Sequence, residues 1–335
     1  MILQFLAGIG IYLLSIILFR IFVERRETNL HASTPVAKGW NDHNTDVASV
    51  TESFRSFLSA RRAGDATVSL VRSRDGHTDS NRTMVASYKS GGATRIDVSA
   101  LVRVVAIDET RKDGVAICHV EPGIAQDELA RFCLAHGYVP QVVLEFPGIT
   151  AGGALAGGGI ESSSHKAGSF ADTVEDVDVL TGTGELLKGV SRTFHPHLFA
   201  ALRTSYGSIG LVLRIGIRIE RAHKYVLVRY VHAASLADAC DIMTAESDKG
   251  ADAPDFIDAV SLSLDSTIVV LGTAVDTPPD DVPTLSLRGA RADKWFFWHL
   301  AEIAAVSLPL TAKTAVASKW LSSHSSTPIF IIVLR

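Results

Sequence analysis

Between Leu211 and Ile219 a large aliphatic residue recurs at every second position, at Leu211, Leu213, Ile215, Ile217 and Ile219. That period predicts a half-buried β-strand. Val226, Val228 and Tyr230 repeat the pattern. Shorter apolar runs predict further strands at Thr67–Val71, Val102–Ile107, Val115–Val120, Val139–Leu144, Val174–Leu180, Phe256–Leu264 and Ile268–Leu271. The charged turn Asp108–Gly114 splits one strand pair, and Thr181-Gly182-Thr183-Gly184 is a hairpin turn leading to Leu186 and Leu187. Helical spacing appears at Val47, Val50, Phe54, Phe57 and Leu58, which predicts a helix over 47–62. Gln126–His136 carries Leu129, Phe132 and Cys133 on one face, with Gly137 placed to stop the helix. Ala234–Glu246 and the strongly apolar Trp295–Leu310 read as helices. Strands, single helices and tight turns in this order predict an α+β fold and not a regular βαβ ladder.

The first residues follow another rule. Met1–Phe19 carries no charge and only Gln4 and Ser15 as polar side chains, and Arg20, Arg25 and Arg26 follow. A run of this length spans a bilayer. A cleaved signal would need a positive start and a shorter apolar core. The expected layout is a transmembrane anchor at 1–23 and a polar linker at 24–46. The arginines after the span place the body in the cytosol.

Composition narrows the function. The net charge of -4 over 335 residues supplies no basic footprint for nucleic acid. The cysteines, Cys118, Cys133 and Cys240, are odd in number and form no CxxC, so neither a disulfide framework nor a zinc site is expected. His195 and His197 flank Pro196 without an acidic or thiol partner nearby, which reads as a helix start and not a metal site.

The densest chemical signal is Thr150-Ala151-Gly152-Gly153-Ala154-Leu155-Ala156-Gly157-Gly158-Gly159-Ile160. Glycine this frequent lets a ligand approach the backbone and permits positive φ. Successive N–H groups could then form a concavity for phosphate oxygens. No GK[ST] follows, so this is not a Walker loop, and no acidic residue on a following strand supports a Rossmann reading. By itself the segment could equally be a turn without a ligand.

Its neighbours add to the pattern. Glu145-Phe146-Pro147-Gly148-Ile149-Thr150 precedes it, and Glu161-Ser162-Ser163-Ser164-His165-Lys166 follows. His195-Pro196-His197-Leu198-Phe199 and Gly207-Ser208-Ile209-Gly210 come later, then Lys224-Tyr225. This order resembles the FAD-binding domain of the PCMH-type, vanillyl-alcohol-oxidase-like flavoproteins. Within them it is most similar to the sterol Δ24-reductases of fungal type.

The resemblance implies an FAD-binding domain of two α+β subdomains at 47–222 and a partial substrate or cap domain at 223–335. It implies non-covalent FAD held by Thr150 to Ser162, with Gly207 and Ile209 nearby. Arg72–Asn81 would be the first phosphate loop. His77 there matches a covalent-attachment loop poorly, because one glycine is missing. His165 and Lys166 read either as neighbours of the flavin or as a capped, solvated turn. Glu161 reads as a hydrogen-bond partner or as an acid.

The implied activity is NADPH-dependent reduction of the Δ24 double bond of a sterol at the endoplasmic reticulum membrane. The residues do not identify the proton donor. The alternatives are a flavin-linked oxidase or dehydrogenase of another lipophilic substrate, or a truncated flavin-binding membrane protein without turnover. The apolar ending, Pro328 to Arg335, motivates the last of these.

Overall fold

The computed structural model describes residues 36–60, 68–71, 94–109, 115–145, 148–263, 265–280, 282, 284–285 and 329–333. The elements in chain order begin with α1 (Trp40–Ala60), β1 (Val68–Val71), β2 (Thr94–Asp97), β3 (Val104–Asp108) and β4 (Ala116–Val120). Next come α2 (Gln126–Ala135), β5 (Tyr138–Pro140), α3 (Ala151–Gly157) and α4 (Ser164–Ala167). After a 3₁₀ turn at Phe170–Asp172 follow β6 (Val174–Thr181), β7 (Leu186–Ser191), α5 (Pro196–Leu202) and β8 (Gly210–Arg221). The rest is β9 (Tyr225–Ala233), α6 (Leu236–Ser247), β10 (Phe256–Ser263), β11 (Ser266–Val275), β12 (Thr284–Leu285) and β13 (Ile329–Val333).

The first large sheet runs β3-β4-β8-β6-β7, with β5 also on β8, and all its pairings are antiparallel. The alternation from Leu213 to Ile219 makes β8 its centre, because those four aliphatics are fully buried. They share one core with Leu129, Phe132 and Cys133 of α2 and with Leu155 of α3, apart from Leu213, which packs with Val47, Val50 and Leu101 under α1. A second sheet, β10-β11-β9-β13-β12, begins at Tyr225, and α6 covers it through Ala239 against Ile257, Val269 and Leu271. Both sheets lie in one compact unit, Ala37–Arg335. The mixture of mainly antiparallel sheets with single helices is the α+β architecture expected from the pattern.

Two elements differ from the periodicity. The first helix starts at Trp40 and not at Val47, so the end of the presumed linker is ordered. Its anchors there are polar or amphipathic, which is why an apolar period misses them. Lys38 and Gly39 donate backbone hydrogen bonds to Val104 and Val105, and the Trp40 ring lies 5.1 Å from that of His119. The run Val139–Leu144 pairs only through Tyr138–Pro140 and then turns away, although Val142 and Leu144 stay buried. The readings of Met1–Val23, Arg72–Asn81 with His77, and Trp295–Leu310 lie outside the described residues. Among the described residues, no helix is long and apolar enough to cross a membrane.

A charged layer fixes α1 to the sheet. Arg214 of β8 is buried and pairs with Asp176 and Asp178 of β6, while Trp40 sits over its guanidinium at 5.9 Å. Burial and the adjoining Arg214 charge push the His119 imidazole below its ordinary pKa. Glu121, wholly buried, receives Lys38 Nζ at 2.8 Å, His43 Nδ1 at 2.9 Å and the Arg103 amide at 2.9 Å. Burial works against the Lys38 charge, but Asp46 and Glu121 outweigh it and raise its pKa.

One buried side chain contrasts with this order. Gln126, at the start of α2, is 1% exposed, and neither its Nε2 nor its Oε1 has a partner among the described residues. An orphaned buried amide costs about 1–3 kcal/mol. Gln126→Met, similar in volume, is therefore expected to stabilise the protein by that amount, read as a higher thermal midpoint. A lowered midpoint would show that the amide is satisfied in solution.

Candidate cofactor site

The Gly-rich segment folds mostly as a helix. Thr150 caps α3, its hydroxyl accepting the Gly153 amide at 3.2 Å, and Gly158 ends it with φ +72°. The first amides of α3 are all engaged: Ala151 donates to the Ile124 carbonyl, and Gly152 to the Pro122 carbonyl. The glycine-lined phosphate concavity expected from the sequence is thus not at the start of this helix.

The glycines divide by role. A Cβ on Gly152 would lie 2.8 Å from Pro122 Cβ, and one on Gly159 would lie 2.5 Å from Leu144 Cδ2. Those two exist for close packing. Gly153 and Gly157, one turn apart, are exposed, and a Cβ on Gly157 would meet nothing within 4 Å. They leave a strip of bare backbone on the outer face of α3. Ala151, Ala154 and Leu155 point the other way, into the core, and Ala156 is half-buried.

The chain leaving α3 continues this open face. Ile160 is 73% exposed. The amides of Ile160, Ser162 and Ser163 have no protein acceptor among the described residues. A second loop closes on it: Thr204 and Tyr206 donate to the carbonyls of Leu155 and Ala156. Thr204, Tyr206 and Gly207 all take positive φ, at 55°, 52° and 74°. For a β-branched threonine that conformation is strained, and such strain gathers at functional sites. The loop leaves Tyr206 and Ile209 exposed beside α3. Bare backbone, free amides and exposed apolar side chains together suit a flat, polar-tailed cofactor such as FAD.

The remaining residues singled out in the sequence join the site to the second sheet. Ser162 accepts the Ile257 amide at 2.8 Å. His165 reaches the Pro254 carbonyl through Nε2 at 2.8 Å and the Ser162 carbonyl through Nδ1 at 3.1 Å. Lys166 pairs with Asp255 at 2.9 Å, and the other Asp255 oxygen accepts the Ala274 amide. The positive charge of Lys166 is thus answered by a carboxylate of β10's leading loop. Glu161 accepts the Glu145 amide at 2.7 Å on Oε1. His195 starts α5 in the left-handed region, and no group that could hold a metal occurs among the described residues.

Sequence reasoning missed four contributors. Glu145, sixteen residues before Glu161, had no signal linking the two. Thr204 and Tyr206 carry no residue preference for positive φ. Asp258, beside Glu145 and Glu161 electrostatically, sits on an ordinary strand.

Residues 77–189, which include α3 and the chain that follows it, match the family described as FAD binding domain. The relatives are more particular. The chain is 27% identical over 224 residues to a Δ24-sterol reductase homologue of Caenorhabditis elegans, covering 64% of this chain and 42% of that protein. It is 29% identical over 201 residues to the Δ24-sterol reductase of Mus musculus, 60% of this chain and 37% of that one. The Δ24-sterol reductase of Arabidopsis thaliana is 25% identical over 191 residues, 56% of this chain and 33% of that protein. The chain therefore spans less than half the length of these relatives.

Proposed function

We propose that this chain binds FAD on the open face of α3 and reduces the Δ24 side-chain double bond of a sterol, with NADPH as the reductant. The supporting observations are that the similarity to Δ24-sterol reductases covers about 60% of the chain and that the FAD binding domain match, 77–189, includes α3 and the chain that follows it. FAD, when bound, supplies the hydride-transfer chemistry, and the protein supplies position, electrostatics and exclusion of water. Thr150 to Ser162, with Gly207 and Ile209, would hold the cofactor. Exposed Ile160, Tyr206 and Ile209 give the face apolar surface for a lipophilic substrate. An N-terminal membrane anchor, with the body facing the cytosol, would bring the site to that substrate.

The second reading is an FAD-linked oxidase or dehydrogenase of another lipophilic substrate. Its support is that identity to the Δ24-sterol reductases is only 25–29% over the matched residues. Anaerobic addition of NADPH to the FAD-loaded protein separates the two. The proposal expects bleaching of the flavin band, then recovery on adding desmosterol. Bleaching by an alcohol or other donor, with none by NADPH, would favour the oxidase.

A further inference from the structure

Saturating a carbon–carbon double bond takes a hydride at one carbon and a proton at the other. The cofactor chemistry accounts for the hydride. The proton must come from a placed acid or from water. This inference rests on the reading just given and deepens it.

We propose that Glu161 is the proton donor of this site. Its position carries the argument. It follows directly on the bare glycine face and the exposed Ile160, on the segment proposed to hold the cofactor. It is oriented, because the Glu145 backbone amide holds Oε1 at 2.7 Å and leaves Oε2 without a protein partner among the described residues. It stands where the site meets the second sheet, since the next residue, Ser162, accepts the Ile257 amide. Glu145 and Glu161, sixteen residues apart, are thereby joined through one carboxylate.

The surroundings favour the acid form. Burial pushes the Glu161 carboxyl up; the Glu145 amide opposes this, and the charges of Glu145 and Asp258 push it further up. Burial and then Asp258 likewise raise Glu145. The cation closest in sequence, Lys166, is taken by Asp255, and His165 is turned to the Ser162 and Pro254 carbonyls. Glu145 and Asp258 are exposed. They can return a proton from solvent after each turnover. In the step itself the Glu161 O–H bond breaks as a C–H bond forms, the carbon taking the proton as hydride arrives at its neighbour. Glu161 is left as carboxylate.

The sign of the linkage follows. A carboxyl whose folded pKa is raised binds its proton more readily in the folded state. Its contribution to stability is present below the unfolded value and is lost as pH rises through the folded one. Glu161→Gln, which cannot ionise, is therefore expected to be more stable than the wild type at neutral pH and to match it in acid.

The test is infrared difference spectroscopy of the FAD-loaded protein, titrated upward from the pH at which an ordinary glutamate ionises, wild type against Glu161→Gln and Glu145→Gln. The expected result is a protonated-carboxyl band, shifted in D₂O, that Glu161→Gln abolishes and Glu145→Gln retains. Alongside it, Glu161→Gln should slow sterol reduction by about 10²-fold or more, well beyond any change it makes in NADPH bleaching of the flavin. No protonated-carboxyl band, a band lost only in Glu145→Gln, or sterol reduction unchanged in Glu161→Gln would each overturn the assignment. Failure of NADPH to bleach the wild type would instead fault the reading beneath it, and the band would still decide whether Glu161 holds a proton.

Discussion

Gly152→Val is expected to unfold the region around α3, whereas Gly157→Leu, five residues on, is expected to leave the fold intact and lose the cofactor. The difference lies in what each added side chain meets. At Gly152 the new Cβ would stand 2.8 Å from Pro122 Cβ and 3.0 Å from the Pro122 carbonyl oxygen. That carbonyl accepts the Gly152 amide, so neither side can move without breaking the bond that seats the helix. Overpacking of this kind costs about 1–3 kcal/mol, and valine's further methyls place the effect at the upper end. At Gly157 there is open space, and leucine is favoured over glycine in a helix by about 0.8 kcal/mol. The leucine side chain would cover the strip on which FAD is proposed to lie. A fall of tenfold or more in FAD affinity, about 1.4 kcal/mol, with an unfolding midpoint that is not lowered, is the expected outcome. A Gly157→Leu protein that keeps its flavin would move the cofactor off this face.

Glu121→Ala should be among the most damaging single changes in the protein. The substitution removes the shared acceptor of Lys38, His43 and the Arg103 amide from a wholly buried position. Breaking a buried ion pair from one side costs about 3–5 kcal/mol, because the partner charges stay behind without compensation. Lys38 keeps Asp46, which softens the loss. His43, 1% exposed, keeps nothing comparable. The effect should also reach the cofactor. Glu121 leads into Pro122 and Ile124, whose carbonyls hold Gly152 and Ala151 at the start of α3. Urea unfolding measures the first consequence and FAD titration the second. A loss below about 1 kcal/mol would mean that water reaches the cluster and screens it.

What could be read from the sequence was whatever a local period expresses. The alternating aliphatics of β8, the apolar face of α2 and the Gly137 stop, with φ +79°, all follow from neighbours within a few residues. The hairpin from Thr181 to Glu185 closes as its residues dictate. The glycine run could be recognised as unusual, but not sorted. Gly152 and Gly159 pack against Pro122 and Leu144, residues whose approach depends on the whole fold. Long-range polar contacts were equally silent. Nothing in the spacing of Lys38, His43 and Glu121 announces one buried cluster. Nothing local predicts that His165 and Lys166 turn to Pro254 and Asp255, 89 residues on. Tertiary geometry decides such pairs, and a period can only bring residues to a surface.

The central claim is that the face formed by α3 and the chain following it receives FAD. Amide hydrogen exchange on the purified protein, with and without FAD, tests it residue by residue. The account predicts that FAD protects the amides of Ile160, Ser162 and Ser163, which have no protein acceptor among the described residues. The Ala151 and Gly152 amides, already bonded to Ile124 and Pro122, should change little. FAD that binds while Ile160, Ser162 and Ser163 exchange at their cofactor-free rates would contradict it.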